Sequence, residues 1–153
     1  RSQVNISDLI LMDEDILSPT KKYGGSTSKL KMSKAATAST EIKLIGMRAD
    51  EAIAKLDKYY SSISDSNERI KFILGAYNAG PGHVDDAIRL AAKNGYNPNI
   101  WHDNVEKYVL LMSHSEYYND PIVKNGYFRG EETSNYVRRI FSRWEDYKAK
   151  IRQ

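Results

Sequence analysis

Apolar residues recur at steps of three and four along most of the chain, which is the spacing of amphipathic helices. Such stretches cover residues 7–17, with Ser7 as the expected N-cap, and residues 47–61. The clearest stretch is C-terminal, where large side chains share one face: Tyr136, Ile140, Phe141, Trp144, Tyr147 and Ile151. No stretch shows the period-two alternation of a half-buried strand. The pattern predicts an all-α protein.

Polar residues and helix breakers predict where further helices begin and end. Asp65 precedes Glu68 by three residues, which is the spacing of a capping box and predicts a helix start. That helix is expected to stop at Gly80-Pro81-Gly82, because proline and glycine disfavour its continuation. Three shorter helices are predicted over residues 84–93, 105–112 and 117–125.

Residues 18–40 break the helical pattern, because they are rich in Ser, Thr, Gly and Lys. A stretch of this composition and length predicts a variable, flexible loop. The remaining segments are short and share one type of periodicity, so the 153 residues are interpreted as a single domain, 1–153.

Composition narrows the possible chemistry. The chain has no cysteine, which excludes disulfides and thiolate chemistry, and its net charge of +3 is too small to predict nucleic-acid binding. Three histidines lack the spacing of zinc ligands, so we expect no metal and no cofactor. Eleven tyrosines against three phenylalanines suit either carbohydrate contact or ordinary helix packing.

The most specific motif is Ala-Tyr-Asn-Ala-Gly-Pro-Gly-His-Val at residues 76–84. It resembles the A-Y-N-x-G-x-G-x-V signature of the lytic transglycosylases of glycoside hydrolase family 23. Segments at 117–121, 123–127, 129–133 and 136–137 resemble one branch of that family, and the similarity covers about residues 47–148. The resemblance implies a lysozyme-like (SLT) helical domain that cleaves peptidoglycan glycan strands.

The catalytic segment of the family is matched only in part. Glu14 lies five residues before Pro19, as the family's catalytic Glu does, and the resemblance therefore implies that Glu14 is the sole general acid/base. The family's Ser after this Glu is replaced by Asp15. Its Gly-Leu-Met-Gln run is replaced by residues 29–32, which read Lys-Leu-Lys-Met.

General-acid chemistry would require Glu14 to be protonated near neutral pH, above its ordinary pKa of about 4.3. Burial against Ile10 and Leu17, and ionised Asp13 and Asp15 beside it, would raise that pKa. The alternative interpretation of residues 13–15 is a solvated acidic helix end.

The resemblance implies a set of substrate-binding residues: Tyr77, Asn78, Gly80, Tyr136 and Met32. The Asn78 amide offers both donors and an acceptor to an acetamido sugar. Each of the others has a structural alternative. Tyr77 and Tyr136 suit core positions, and Asn78 next to Gly80 suits a helix C-cap.

By resemblance, the expected partner is the peptidoglycan glycan strand in the bacterial envelope, and the chain is expected to be monomeric. No apolar run reaches the roughly 18 residues of a membrane span, and any signal or anchor is expected outside this segment. The cleavage product would carry a 1,6-anhydromuramyl end. An alternative is a catalytically inactive module of the same fold that binds peptidoglycan or a partner protein. A basic helical nucleic-acid binder is less favoured still.

Overall fold

The computed structural model describes residues 5–17, 44 and 46–151, but not the side chains of residues 12–17. Within these ranges the chain is helical and has no extended strand, which confirms the predicted all-α class. The expected loop over residues 18–40 lies outside the described residues. The helices are α1 Ile6–Leu17, α2 Ala49–Tyr59, α3 Ser66–Ala79, α4 Pro81–Lys93, α5 Glu106–Leu111, α6 Ser115–Tyr118 and α7 Glu131–Ile151, with an irregular turn at Trp101–Val105 before α5.

Helix α3 is the centre of the fold, with α2, α4 and α7 packed around it. Its residues 71–77 are all buried; Lys71 is the charged residue among them, and residues 72–77 are apolar or small on every face of the helix. Gly75 allows the fully buried Trp101 ring to lie directly on α3, since a Cβ at this position would come within 2.6 Å of the indole. Phe72 meets the same ring edge to face at 5.3 Å.

The N-terminus of α3 is capped as predicted, but only by half of a capping box. The Asp65 side chain accepts hydrogen bonds from the backbone N–H groups of Asn67 and Glu68, at 2.9 and 3.0 Å. The Glu68 carboxylate does not accept a hydrogen bond from the backbone N–H of Asp65. It accepts instead from the backbone N–H of Trp101 at 2.8 Å and pairs with Lys71 at 3.0 Å. The predicted box is therefore wrong in its second half, because a tertiary partner takes the carboxylate.

Helix α1 is capped two residues earlier than the sequence pattern predicts. Asn5 Oδ1 accepts from the backbone N–H of Asp8 at 3.0 Å, which is the hydrogen bond of an N-cap. Ser7, the predicted cap, lies inside the helix and donates its hydroxyl to the same Asn5 oxygen at 2.6 Å. Ile6, Leu9 and Ile10 are buried, and the helix packs against α2 and α7.

Helices α3 and α4 follow each other with one residue between them. Gly80 caps the C-terminus of α3 and the N-terminus of α4, and Pro81 occupies the first position of α4. The predicted break is thus confirmed, but α4 begins at Pro81 and not at residue 84. The alternative in which Asn78 caps α3 is wrong, because that helix continues to Ala79.

Replacing Gly80 with Ala is expected to destabilise the fold by about 1–3 kcal/mol. Gly80 has φ 99° and ψ 140°, a backbone conformation close to a region that side-chain-bearing residues almost never adopt. Urea unfolding of Gly80→Ala and wild type measures the difference. Equal midpoints with equal slopes would contradict the assignment of strain to this position.

The helix predicted over residues 117–125 is not formed. Helix α6 ends at Tyr118, and residues 119–130 form turns, bends and irregular chain. The cause is a fully buried carboxylate on α4. Asp86 accepts from the backbone N–H groups of Lys124 and Asn125, both at 2.9 Å, so these groups have no helical partner. A tertiary hydrogen-bond acceptor thus overrides the local helix signal.

Helix α7 begins where the backbone of Gly130 lies directly on α5. A Cβ on Gly130 would come within 2.3 Å of the backbone oxygen of Val109, so only glycine fits there. Tyr136 and Ile140 are buried as the periodicity predicts. The predicted apolar face does not extend to the end of the helix, because Ile151 is 49% exposed.

Candidate functional site

The signature segment at residues 76–84 lies at the junction of α3 and α4. Tyr77 lies in the last turn of α3, is 4% exposed and belongs to the hydrophobic core. Asn78 is half-buried, so its side chain is accessible from outside the core. Gly80 holds the sharp turn between the two helices. The segment therefore presents a polar side chain beside a rigid backbone corner.

Helix α7 supplies the other side of this corner. Thr133 donates its hydroxyl to Asn78 Oδ1 at 2.6 Å. Tyr136 follows one turn later on α7 and is 5% exposed, with the Arg139 guanidinium 5.6 Å above its ring. Two predicted site residues, Asn78 and Tyr136, are thus connected through α7, although 58 positions separate them in sequence.

Glu14 lies in the last turn of α1, four residues after the fully buried Ile10 and therefore at a position on the same helix face. Because α1 packs against α7, the backbone at Glu14 belongs to a helix that neighbours the one carrying Tyr136. The Glu14 side chain and all of Met32 lie outside the described residues. The roles predicted for these two residues stay predictions.

Sequence reasoning missed a second group of polar residues, which centres on the buried carboxylate of Glu106. Ser134 donates to this carboxylate at 2.6 Å, and Arg138 donates to it through two nitrogens at 3.0 and 2.9 Å. His102 Nδ1 lies 3.4 Å from the same carboxylate. These contacts join α5 and the turn before it to the first two turns of α7. No local spacing predicts the contacts with Ser134 and Arg138, because these partners lie 28 and 32 positions from Glu106.

Burial raises the pKa of Glu106, but the hydrogen bonds from Ser134 and His102 and the charge of Arg138 outweigh it. The net result is a pKa below the ordinary value of 4.5. A carboxyl whose pKa is depressed by folding stabilises the protein above its unfolded-state pKa, and that contribution is lost as the pH falls through the folded-state pKa.

We therefore expect the stability difference between wild type and Glu106→Gln to be largest near neutral pH and to shrink below about pH 4.5. The measurement is urea unfolding of both proteins from neutral pH down to about pH 3. The comparison removes the contribution of the other carboxyls, which both proteins share. A difference that stays constant across this range would contradict the depressed pKa.

Among the described residues, no three His, Asp or Glu side chains come together in a way that could hold a metal ion. His83, within the signature, is instead stacked on Phe128 at 4.2 Å, and burial lowers its pKa. Nor is any described helix long and apolar enough to cross a membrane.

Comparison with known proteins gives two kinds of match. No family model matches the chain. The chain is 33% identical to membrane-bound lytic murein transglycosylase F of Shewanella denitrificans over 137 aligned residues. The alignment covers 90% of the chain and 24% of that protein. It is 37% identical over 98 residues to the transglycosylase F of Desulfosudis oleivorans, covering 64% of the chain and 21% of that protein. A shorter match, 63% identical over 59 residues, is to the endonuclease MutS2 of Agathobacter rectalis and covers 39% of the chain and 7% of that protein.

The chain spans between 7% and 24% of the length of these relatives. The transglycosylase matches extend over up to nine-tenths of the chain, and several further transglycosylases of the same name match at similar identity. The MutS2 match covers less than half of the chain and a small fraction of that protein, so it does not bear on the family.

Proposed function

Because this chain carries a domain of the lytic transglycosylase family, we propose that it cleaves the glycan strands of bacterial peptidoglycan. The bond would be the β-1,4 link between N-acetylmuramic acid and N-acetylglucosamine, and the product would end in a 1,6-anhydromuramyl group. The observation that carries this proposal is the similarity to lytic murein transglycosylase F along 90% of the chain. The proposal concerns the matched domain, and the envelope is the compartment in which its substrate occurs.

The proposed reaction needs one carboxyl group. Glu14 would donate its proton to the glycosidic oxygen as the bond from that oxygen to C1 breaks, through a transition state with oxocarbenium character. The 6-hydroxyl of the same muramyl sugar then bonds to C1, and its proton returns to the Glu14 carboxylate. No water is consumed. An intramolecular attack can reach an effective molarity of about 10⁵ M or more, so a second carboxyl group is not required.

Three features of the described structure support a sugar site near this acid. Helix α1, which carries Glu14, is anchored in the core by Ile6, Leu9 and Ile10, so the backbone at Glu14 continues from a rigid element. Helix α7 packs on both α1 and α3, and its first turn contacts the C-terminal end of α3 through Thr133 and Asn78. The Asn78 amide lies at this part of α3 and is half-buried, as suits a group that orients a bound sugar.

In this proposal the remaining predicted residues have separate roles. Asn78 would hydrogen-bond the acetamido group of a sugar. Gly80 is buried, so it would act by holding the turn beside Asn78. Tyr77 and Tyr136 are almost fully buried, so they would act mainly by packing behind the site. Met32 would contribute a further contact to the bound sugar, as the family resemblance implies.

One alternative keeps the fold and the substrate but removes the chemistry. Asp15 and the Lys-Leu-Lys-Met run at residues 29–32 depart from the family pattern on both sides of the Pro19 position. A protein with these changes could bind glycan strands or a partner protein without cleaving them.

The two functions are separated by digesting purified peptidoglycan in H₂¹⁸O and analysing the soluble products by mass spectrometry, with Glu14→Gln as the matched blank. The proposal expects 1,6-anhydromuramyl products that contain no ¹⁸O and are absent with the variant. Reducing ends that carry ¹⁸O would instead show hydrolysis and contradict the intramolecular route. No products from either protein, together with co-sedimentation with peptidoglycan, would support the binding module.

A further inference from the structure

The side chain of Asn78 is held in one orientation by a hydroxyl that the signature motif does not contain. Thr133, on the first turn of α7, is 2% exposed and donates to Asn78 Oδ1 at 2.6 Å. A buried hydroxyl proton needs an acceptor, and Oδ1 is the acceptor that Thr133 has among the described residues. The amide nitrogen of Asn78 makes no hydrogen bond within the described part of the chain, and it is not among the buried polar atoms without a partner.

The position of Thr133 is itself fixed by the contacts that surround it on α7. Gly130, three residues before Thr133, lies against the backbone of Val109, where no larger residue fits. The next residue, Ser134, donates its backbone N–H to the Gly130 oxygen at 2.9 Å and its hydroxyl to the buried Glu106 at 2.6 Å. The first turn of α7 therefore cannot move without breaking buried contacts on both sides of Thr133.

We propose that Thr133 is a positioning residue, which orients the Asn78 amide so that its NH₂ group, and not its oxygen, faces a bound ligand. An asparagine amide has an acceptor on one side and two donors on the other, so an Oδ1 turned towards the buried Thr133 hydroxyl places the NH₂ group on the opposite side, towards a ligand. The site then selects a ligand that presents a hydrogen-bond acceptor. In a glycan strand this acceptor is the carbonyl oxygen of an N-acetyl group. The inference rests on the proposed function and adds which atom of the sugar Asn78 recognises.

The test is the preference of the protein for an N-acetylated sugar, measured as the ratio of the dissociation constants for chitotetraose and for the same tetramer without its acetyl groups. Thr133→Val keeps the shape of the side chain and removes the hydroxyl, while Thr133→Ser keeps the hydroxyl. Loss of the orienting hydrogen bond is expected to lower the preference about fivefold in the valine variant, because a neutral hydrogen bond has a net value of that order. The serine variant should retain the wild-type preference.

The positive charge of the deacetylated tetramer changes the ratio equally in wild type and in each variant. Its effect therefore cancels when the ratios of two proteins are compared. Circular dichroism and urea unfolding establish that both variants are folded. An unchanged preference in Thr133→Val, alongside normal peptidoglycan cleavage by the wild type, would overturn the role of Thr133 and leave the proposed function intact. A wild-type protein that neither binds the acetylated tetramer nor cleaves peptidoglycan would overturn both.

In the unliganded protein, nuclear Overhauser effects supply a readout that is independent of activity. The orientation inferred here places the Asn78 NH₂ protons away from the Thr133 side chain, so that strong effects between them are not expected. Their observation in wild type would show the reversed amide and overturn the proposal. Thr133→Val is expected to broaden or shift the Asn78 side-chain NH₂ signals, whereas Thr133→Ser is expected to leave them near their wild-type positions.

Discussion

Glu14→Gln is expected to lower the rate of peptidoglycan cleavage by about 10²–10⁴-fold while leaving binding to the substrate largely unchanged. Glutamine has the size of glutamate but cannot deliver or accept the proton that the proposed reaction moves. Because proton transfer is needed in the transition state and not for binding, the loss should appear in kcat. The measurement is the rate of release of anhydromuramyl products from purified peptidoglycan, together with co-sedimentation for binding.

The neighbouring carboxyls provide matched controls for this experiment. Asp13→Asn and Asp15→Asn each remove one negative charge from the same turn of α1 without touching Glu14. If Glu14 alone moves the proton, each control should retain activity within about tenfold of wild type. If Asp15→Asn lost as much activity as Glu14→Gln, the assignment of proton transfer to Glu14 alone would be wrong. Full activity of Glu14→Gln would refute the single-acid mechanism.

The parts of the structure that could be predicted from sequence are those determined by short-range spacing. The periodicity around Tyr136 and Ile140 predicts α7, and the glycines and proline at residues 80–82 predict the end of α3. These signals work because a helix buries side chains three and four positions apart, and because few residues tolerate the backbone angles of Gly80. The signature motif could also be recognised from sequence, because it occupies consecutive residues.

The features that sequence could not predict depend on partners far apart in the chain. Glu68 had the spacing of a capping box, yet its carboxylate binds the backbone of Trp101. Nothing near Glu106 indicates that it binds Ser134 and Arg138 on α7. The same limit applies to the link between Asn78 and Thr133, which connects the motif to the helix where Tyr136 lies. Such contacts arise only when α3, α5 and α7 pack together.

The helix predicted over residues 117–125 does not form because a distant residue, Asp86, binds this segment. Asp86 is fully buried, and its two oxygens accept from the backbone N–H groups of Lys124 and Asn125. Its second oxygen also accepts from the Asn125 side chain at 3.1 Å, and the Arg89 guanidinium pairs with the first. One carboxylate thus satisfies four donors and holds this segment on α4, next to the signature motif.

Asp86→Asn is expected to destabilise the protein by about 2–4 kcal/mol, because the amide replaces one accepting oxygen with an NH₂ group that faces other donors. At this chain length the loss corresponds to a decrease in Tm of roughly 5–15 °C. The adjacent Asp85 is the matched control, since its carboxylate accepts from the hydroxyls of Tyr59 and Tyr60 at 2.5 and 3.0 Å. A tyrosine hydroxyl can also accept, so Asp85→Asn can keep two hydrogen bonds and should cost less than about 1 kcal/mol. Thermal and urea unfolding of both variants provide the measurement. Equal losses would mean that Asp86 acts only through its charge on α4, and not as the acceptor that holds Lys124 and Asn125.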